Sequence, residues 1–134
     1  MAPKLLLDTH IVMRWLLEPK RLTREQMRVL SIAERRGEPF GVSSITLLEI
    51  AVLFGRGGIK LRVPIEEVYT SIREQVAYFI VPMDFEVASE VAAIGNVLTD
   101  PADRAIVATA RVHRLKLVTS DQNIIDSRLV AVVE

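Results

Sequence analysis

Five short apolar runs, at residues 5–7, 40–42, 79–81, 115–119 and 129–133, interrupt a chain whose other segments place apolar residues at helical spacing. Leu-Leu-Leu at 5–7 and Leu-Val-Ala-Val-Val at 129–133 lack the polar alternation of a half-solvated strand, so these strands are expected to be covered on both faces. Strands that alternate with helices join in parallel through crossovers. The pattern predicts an α/β three-layer sandwich, a central parallel sheet of about five strands with helices on both faces. Residues 1–134 read as a single domain, long enough to bury a core.

Helix signals fill the gaps between the runs. Ile11, Val12, Trp15 and Leu16 recur on one face before Pro19 ends the segment, and Trp15 reads as core. Thr23-Arg-Glu-Gln26 fits a capping box that opens a helix with Met27, Leu30 and Ala33 on one side, closed by Gly37. Ser43 or Ser44 can cap a helix running to Phe54 that is apolar almost all round, the pattern of a buried helix. After Pro64, the residues Val68, Ile72 and Val76 mark an amphipathic helix, and another is expected over 84–97. Asp100-Pro101 is a strong helix start, with that helix reaching His113, and a short turn or helix follows from Asp121. Gly55-Arg-Gly-Gly58 reads as a loop, and it lacks the Lys-Ser/Thr ending of a phosphate-cradling loop.

Composition removes several chemistries. The absence of cysteine excludes a disulfide scaffold, a zinc finger, an iron–sulfur site and a thiol nucleophile. Oxygen and His ligands remain for a metal, and there are only two His, in no His-x-x-His or His-x-x-x-His pair. A lone His10 reads as a packed or surface residue, and His113 as a cation suited to a helix C-terminus. No apolar run nears the ~18 residues of a membrane span, and the opening Met-Ala-Pro-Lys-Leu-Leu-Leu-Asp is too short for a signal-peptide core. A cytoplasmic protein with no membrane association is the expectation. Formal charge is zero, but residues 1–62 carry 11 Lys/Arg against 6 Asp/Glu, a net of +5, and residues 63–134 carry 6 against 11, a net of −5. Arg14, Lys20, Arg21 and Arg24 in the basic half can meet a phosphate backbone or simply form a solvated face.

Four acids stand outside the usual polar faces. Asp8 is the only charge in 5–13, Glu49 the only charge in 40–54, and Asp121 the only charge in 117–125. Asp103 stands in the first turn of a helix whose next residues are small and apolar. A carboxylate in an apolar helix needs compensation, so Glu49 is expected to be protonated, paired with an Arg such as Arg104, or bound to a cation. Asp8 and Asp121 follow strands, at the sheet edge where open α/β folds bind ligands, although each can equally cap the next helix, and Asp103 can complete a capping-box-like start after Asp100. Convergence of all four would be repulsive at neutral pH, and hard divalent cations with oxygen ligands, Mg²⁺ or Mn²⁺, relieve it. Thr9, Ser43, Ser44, Thr46, Thr119 and Ser120 flank these positions as supporting contacts or as ordinary caps.

The same residues carry a family likeness. Leu-Leu-Leu-Asp8-Thr-His, Ser-Ile-Thr-Leu-Leu-Glu49-Ile-Ala, Asp100-Pro-Ala-Asp103-Arg-Ala-Ile-Val-Ala-Thr-Ala and Leu-Val-Thr-Ser-Asp121 resemble, in order and spacing, the PIN domain. More closely they resemble the VapC-type ribonuclease toxins of bacterial toxin–antitoxin pairs. The likeness covers essentially the whole chain and is weakest over 122–134. It implies a five-stranded parallel sheet and endonucleolytic cleavage of RNA dependent on Mg²⁺ or Mn²⁺. It assigns Asp8, Glu49, Asp103 and Asp121 to the acidic quartet that ligates metal and catalyses, with Asp100 as an accessory acid; the flanking Thr9 and Ser120 are accessory candidates by position. It also implies a homodimer and a higher assembly with a cognate antitoxin, whose tail inserts into or beside the active site.

Rival readings make different demands. A phosphatase with Asp8 as nucleophile wants a second Asp two residues on, where this chain has His10. A receiver-like domain wants its phospho-acceptor Asp after the third strand and a late Lys. A non-catalytic protein- or RNA-binding module with a structural metal differs from a nuclease in one observable, metal-dependent cleavage of single-stranded RNA.

Overall fold

The structure is a computed structural model that describes residues 2–55, 63–74 and 77–134. Val76 and Arg56-Gly-Gly58 of the expected helix and loop lie outside the described residues. Its elements are β1 (Leu5–Leu7), α1 (Thr9–Leu17), α2 (Arg24–Arg35), β2 (Phe40–Ser43), α3 (Ser44–Gly55), α4 (Ile65–Glu74), β3 (Tyr78–Val81), α5 (Phe85–Ile94), α6 (Pro101–His113), β4 (Lys116–Val118), α7 (Gln122–Ser127) and β5 (Val132–Val133). Single 3₁₀ turns follow α1 and α5. The strands form one parallel sheet in the order β3-β2-β1-β4-β5.

Side-chain alternation along the central strands builds two cores. Leu5 and Leu7 of β1, Phe40 and Val42 of β2 and Val118 of β4 face α1 to α4, where Ile11, Leu30, Ile50, Val68 and Ile72 are buried. Leu6 and Leu117 point the other way, onto Val87 of α5, Ile106 and Ala110 of α6 and Ile124 of α7. This is the expected three-layer sandwich, and it explains an all-leucine β1: both faces of the strand are interior. Trp15 packs edge-on against Phe40, ring centroids 5.4 Å apart. Among the described residues no helix is long and apolar enough to cross a membrane.

The local punctuation matches the sequence closely. Thr23 and Gln26 form a reciprocal capping box on α2, and Asp84 and Asp100 cap α5 and α6. Several boundaries differ. The helix expected over 84–97 stops at Ile94, because Gly95 takes a positive φ of 60° and turns the chain. The strand expected over 115–119 narrows to Lys116–Val118. The last strand shrinks to Val132–Val133, since Arg128 ends α7 in the left-handed region and Leu129 and Val130 are spent on the turn that follows.

One expectation is corrected. The helix apolar almost all round is not buried all round: in α3 only Thr46 and Ile50 are buried, and Leu48 and Val52 are 58% and 42% exposed. Among the described residues α3 covers one stripe of the sheet, and its outer side, with Leu48 and Val52, is left exposed.

Gly41 illustrates how tightly the sheet is set. A Cβ there would sit 2.8 Å from the backbone oxygen of Leu5 on the neighbouring strand. Backbone cannot step aside as a side-chain tip can, so Gly41→Ala is expected to lower stability by about 1–3 kcal/mol, the usual overpacking cost. Urea unfolding monitored by circular dichroism measures it, and an unchanged midpoint would contradict the strand packing described here.

Candidate active site

The chain leaves β1 for β2 on one side and later returns to β4 on the other, so strand order reverses between β1 and β4. At the C-terminal end of this seam the Asp8 amide donates to the Val118 carbonyl at 3.0 Å. Side chains then continue the pairing. The Thr119 hydroxyl donates to Asp8 Oδ2 at 2.7 Å, and the Thr9 amide donates to Oδ1 at 2.8 Å. Asp8, only 4% exposed, is thus a buried carboxylate held by neutral donors.

Glu49 reaches the same place from α3. Its Oε1 accepts a 2.5 Å hydrogen bond from the Thr9 hydroxyl, which also lies 2.9 Å from the Thr46 hydroxyl. The ion pair with Arg104 does not form. Arg104 instead donates to the carbonyls of Leu98 and Thr99, at 2.5 and 3.1 Å, and so braces the loop before Asp100. Burial pushes the Glu49 carboxyl above its ordinary range, the charges of Asp8 and Asp100 add to this, and the Thr9 bond opposes it.

Asp103 projects from the first turn of α6, and its amide is capped by Asp100 Oδ1 at 3.0 Å. Its carboxyl is pushed up to about 7, first by burial and then by the charges of Asp100, Asp121, Asp8 and Glu49. Asp121 caps α7 through Ile124 at 3.2 Å, and its own amide donates to the Thr119 hydroxyl at 3.0 Å. The capping roles read for Asp100 and Asp121 are therefore present. They coexist with a shared field: Asp100, Asp121, Asp8 and Glu49 act on Asp103, and Asp8 and Asp100 act on Glu49.

Chemically the donor set suits a hard divalent cation: it is all oxygen and rich in negative charge, and Arg104 spends its guanidinium on backbone carbonyls. As the side chains stand, no three His, Cys, Asp or Glu among the described residues are grouped so as to hold a metal ion. The cluster has the charge for a cation before it has a common point.

Comparison with known proteins fits this geometry. The family model described as PIN domain matches residues 5–128. The chain belongs to the PIN domain family. Ribonuclease VapC22 of Mycobacterium tuberculosis is 31% identical over 119 residues, 89% of this chain and 88% of that protein. Among solved structures, FitAcB from Neisseria gonorrhoeae superposes with a TM-score of 0.66 at 25% identity, covering 97% of this chain and 96% of that one. A toxin–antitoxin complex from Klebsiella pneumoniae shares the fold, with a TM-score of 0.63 at 22% identity over 94% of each chain.

Within this PIN domain, Asp8, Glu49, Asp103, Asp121, Asp100 and Thr9 are brought together, whereas several flanking residues serve the fold. Ser43 accepts from the Ile45 amide and Ser44 from the Met83 amide, so neither supports the acids. Ser120 is held by Gln26 Nε2 at 2.9 Å and by Arg14 Nη1 at 3.4 Å. Gln26 is the contact that sequence reasoning missed. Its capping box was legible, but its complete burial and its reach to the Thr119 carbonyl at 3.3 Å depend on how α2 docks. His10 is likewise more than a bystander: it accepts from the Ser120 amide and lies 3.4 Å from Asp8 Oδ2, and burial holds its pKa below the usual value.

The raised Asp103 pKa has a signed consequence. Between about pH 4 and 7 the folded chain holds a proton there that the unfolded chain has released, so this contribution to stability falls as pH rises through that window. In metal-free buffer the melting temperature of Asp103→Asn, relative to the parent, should rise steadily from pH 4 to 7 and level off above. A pH-independent difference would contradict the charge cluster.

Proposed function

We propose that this chain is a metal-dependent endoribonuclease, the toxin of a type II toxin–antitoxin pair, with Asp8, Glu49, Asp103 and Asp121 as its working carboxylates. The observation that carries the reading is the gathering of these acids around the β1–β4 seam, where among the described residues no Lys or Arg is ion-paired with them. Membership of the PIN domain family and the likeness to Ribonuclease VapC22 supply the reaction class. The fold shared with the toxin–antitoxin complex from Klebsiella pneumoniae is consistent with a protein antitoxin as partner.

Asp8, Asp103 and Asp121 would hold Mg²⁺ or Mn²⁺ through carboxylate oxygens. Bound there, the cation supplies charge neutralisation for the scissile phosphate and a lowered pKa for water. The protein's own part begins with Asp8, fixed by Thr9 and Thr119 and therefore preorganised. Glu49, on a separate element and with its pKa raised, is suited to accept a proton from the attacking water. Water attack on phosphorus breaks the bond to the 3′ oxygen and leaves 5′-phosphate and 3′-hydroxyl ends, with no call on the 2′-hydroxyl. Arg14, beside Ser120 at the rim, is placed to contact the RNA backbone.

Conservative amide variants separate this reading from a structural one. Asp8→Asn, Asp103→Asn, Asp121→Asn and Glu49→Gln should each lower RNA cleavage by roughly 100-fold or more, the scale of one lost electrostatic or proton-transfer contribution. They should remain folded or melt higher, because repulsion is relieved. Asp100→Asn should change little, since Asn caps a helix about as well as Asp. EDTA should abolish cleavage in the parent, and millimolar Mg²⁺ or Mn²⁺ should restore it and raise the melting temperature. Normal cleavage by the four variants, or cleavage indifferent to EDTA, would overturn the assignment.

A further inference from the structure

The backbone ladder between β1 and β4 ends at the Asp8 amide. Two residues further on, the segments that carry Asp8 and Asp121 are joined again, and the joint is a side chain. The Ser120 amide donates to His10 Nε2 at 3.0 Å. A nitrogen that accepts a hydrogen bond carries a lone pair, so in the neutral ring the proton resides on the other nitrogen. That nitrogen, Nδ1, lies 3.4 Å from Asp8 Oδ2, the same oxygen that accepts from Thr119. One imidazole therefore accepts from the turn before Asp121 and sets its Nδ1 edge 3.4 Å from the Asp8 carboxylate, an electrostatic contact longer than a good hydrogen bond.

The other side of the turn is closed as well. Gln26, fully buried, donates to the Thr119 carbonyl and the Ser120 hydroxyl. The turn is thus held from α1 by its amide and from α2 by its carbonyl and hydroxyl. Of the two grips, only His10 also faces a member of the acidic quartet.

We propose that His10 is a positioning residue for the nuclease site, held as the Nδ1–H tautomer between the Asp8 carboxylate and the Ser120 amide so that Asp8 and Asp121 keep a fixed relative placement. The proposal rests on the nuclease reading above. It assigns His10 neither a metal ligand's role nor a proton transfer. Its effect is exerted through two carboxylates that arrive on different segments and share no backbone bond at that level.

Three substitutions divide the contacts. His10→Ala loses both; His10→Asn keeps a polar edge toward Asp8 but does not reach Ser120; His10→Gln keeps an acceptor at the reach of Nε2. His10→Ala should lower kcat for a short RNA by about 10–100-fold, the range for residues that orient metal ligands, while KM changes little. His10→Gln should recover most of the loss and His10→Asn less, whatever their order in melting temperature. Nitrogen-15 spectra of the wild-type protein read the tautomer independently of activity and should show a protonated Nδ1 and an unprotonated Nε2.

The outcomes separate cleanly. An Nε2–H tautomer overturns the proposal even if the enzyme is active. Wild-type cleavage with an equally active His10→Ala overturns it too and leaves the nuclease reading intact. A kcat loss that follows melting temperature alone, with no rescue by Gln, reduces His10 to a structural contact and overturns the positioning role. A wild type that cleaves no RNA while showing the Nδ1–H tautomer overturns the nuclease reading, and this role with it.

Discussion

Everything at the functional end of this molecule depends on keeping a carboxylate, Asp8, almost wholly out of solvent where two strands diverge. Burial of a charge is costly, and among the described residues that cost is met by neutral donors rather than by a Lys or Arg. The Thr9 amide and the Thr119 hydroxyl each take one oxygen, and the polar cap continues through Thr46 and Glu49. The result is a stable site that still carries negative charge, with Asp103 and Glu49 held above their ordinary pKa. A site compensated by Arg104 would be more stable in isolation and would have nothing to offer a metal. The turning of Arg104 toward the Leu98 and Thr99 carbonyls is therefore as much a part of the site as the acids are.

Most of this architecture was legible in the sequence, for reasons that can be named. Strand positions showed because a strand covered on both faces has no polar alternation, and helix starts showed because Thr23, Asp84 and Asp100 are good caps. Asp8, Glu49 and Asp121 showed because each was isolated among apolar residues, and Asp103 because it opens a helix that continues small and apolar. The sequence was silent where the outcome depended on docking. Nothing in Thr-Arg-Glu-Gln says that Gln26 will reach the turn after β4, and nothing in an apolar α3 says that Leu48 and Val52 face outward. Element ends were also unreadable where a single residue in the left-handed region, such as Arg128, redirected the chain.

Caps and candidate site residues are the same residues here. Asp100 and Asp121 satisfy helix N-termini with one oxygen while their charge acts on Asp103. A helix start draws acids for its own reasons, through the orphan amides and the dipole. Placing α6 and α7 with their N-termini toward the seam thus collects carboxylates at one edge of the sheet. The distinction between a structural and a functional acid, which the sequence posed as a choice, dissolves once both roles fall on different atoms of one side chain.

The three identical leucines of β1 raise a question of alignment. Leu5, Leu6 and Leu7 pair with Lys116, Leu117 and Val118 of β4, and since both faces are interior, their chemistry alone does not say which leucine belongs on which side. The charges that bracket the run decide it. Sliding β1 by one residue in one direction would bring Asp8 level with Val118, into the sheet and away from the Thr119 hydroxyl. Sliding it the other way would set Lys4 opposite Lys116, two like charges across a strand pair. The acid assigned to chemistry is thus also an end stop, and a variant that neutralises Asp8 removes one of the two barriers that keep a featureless strand in frame.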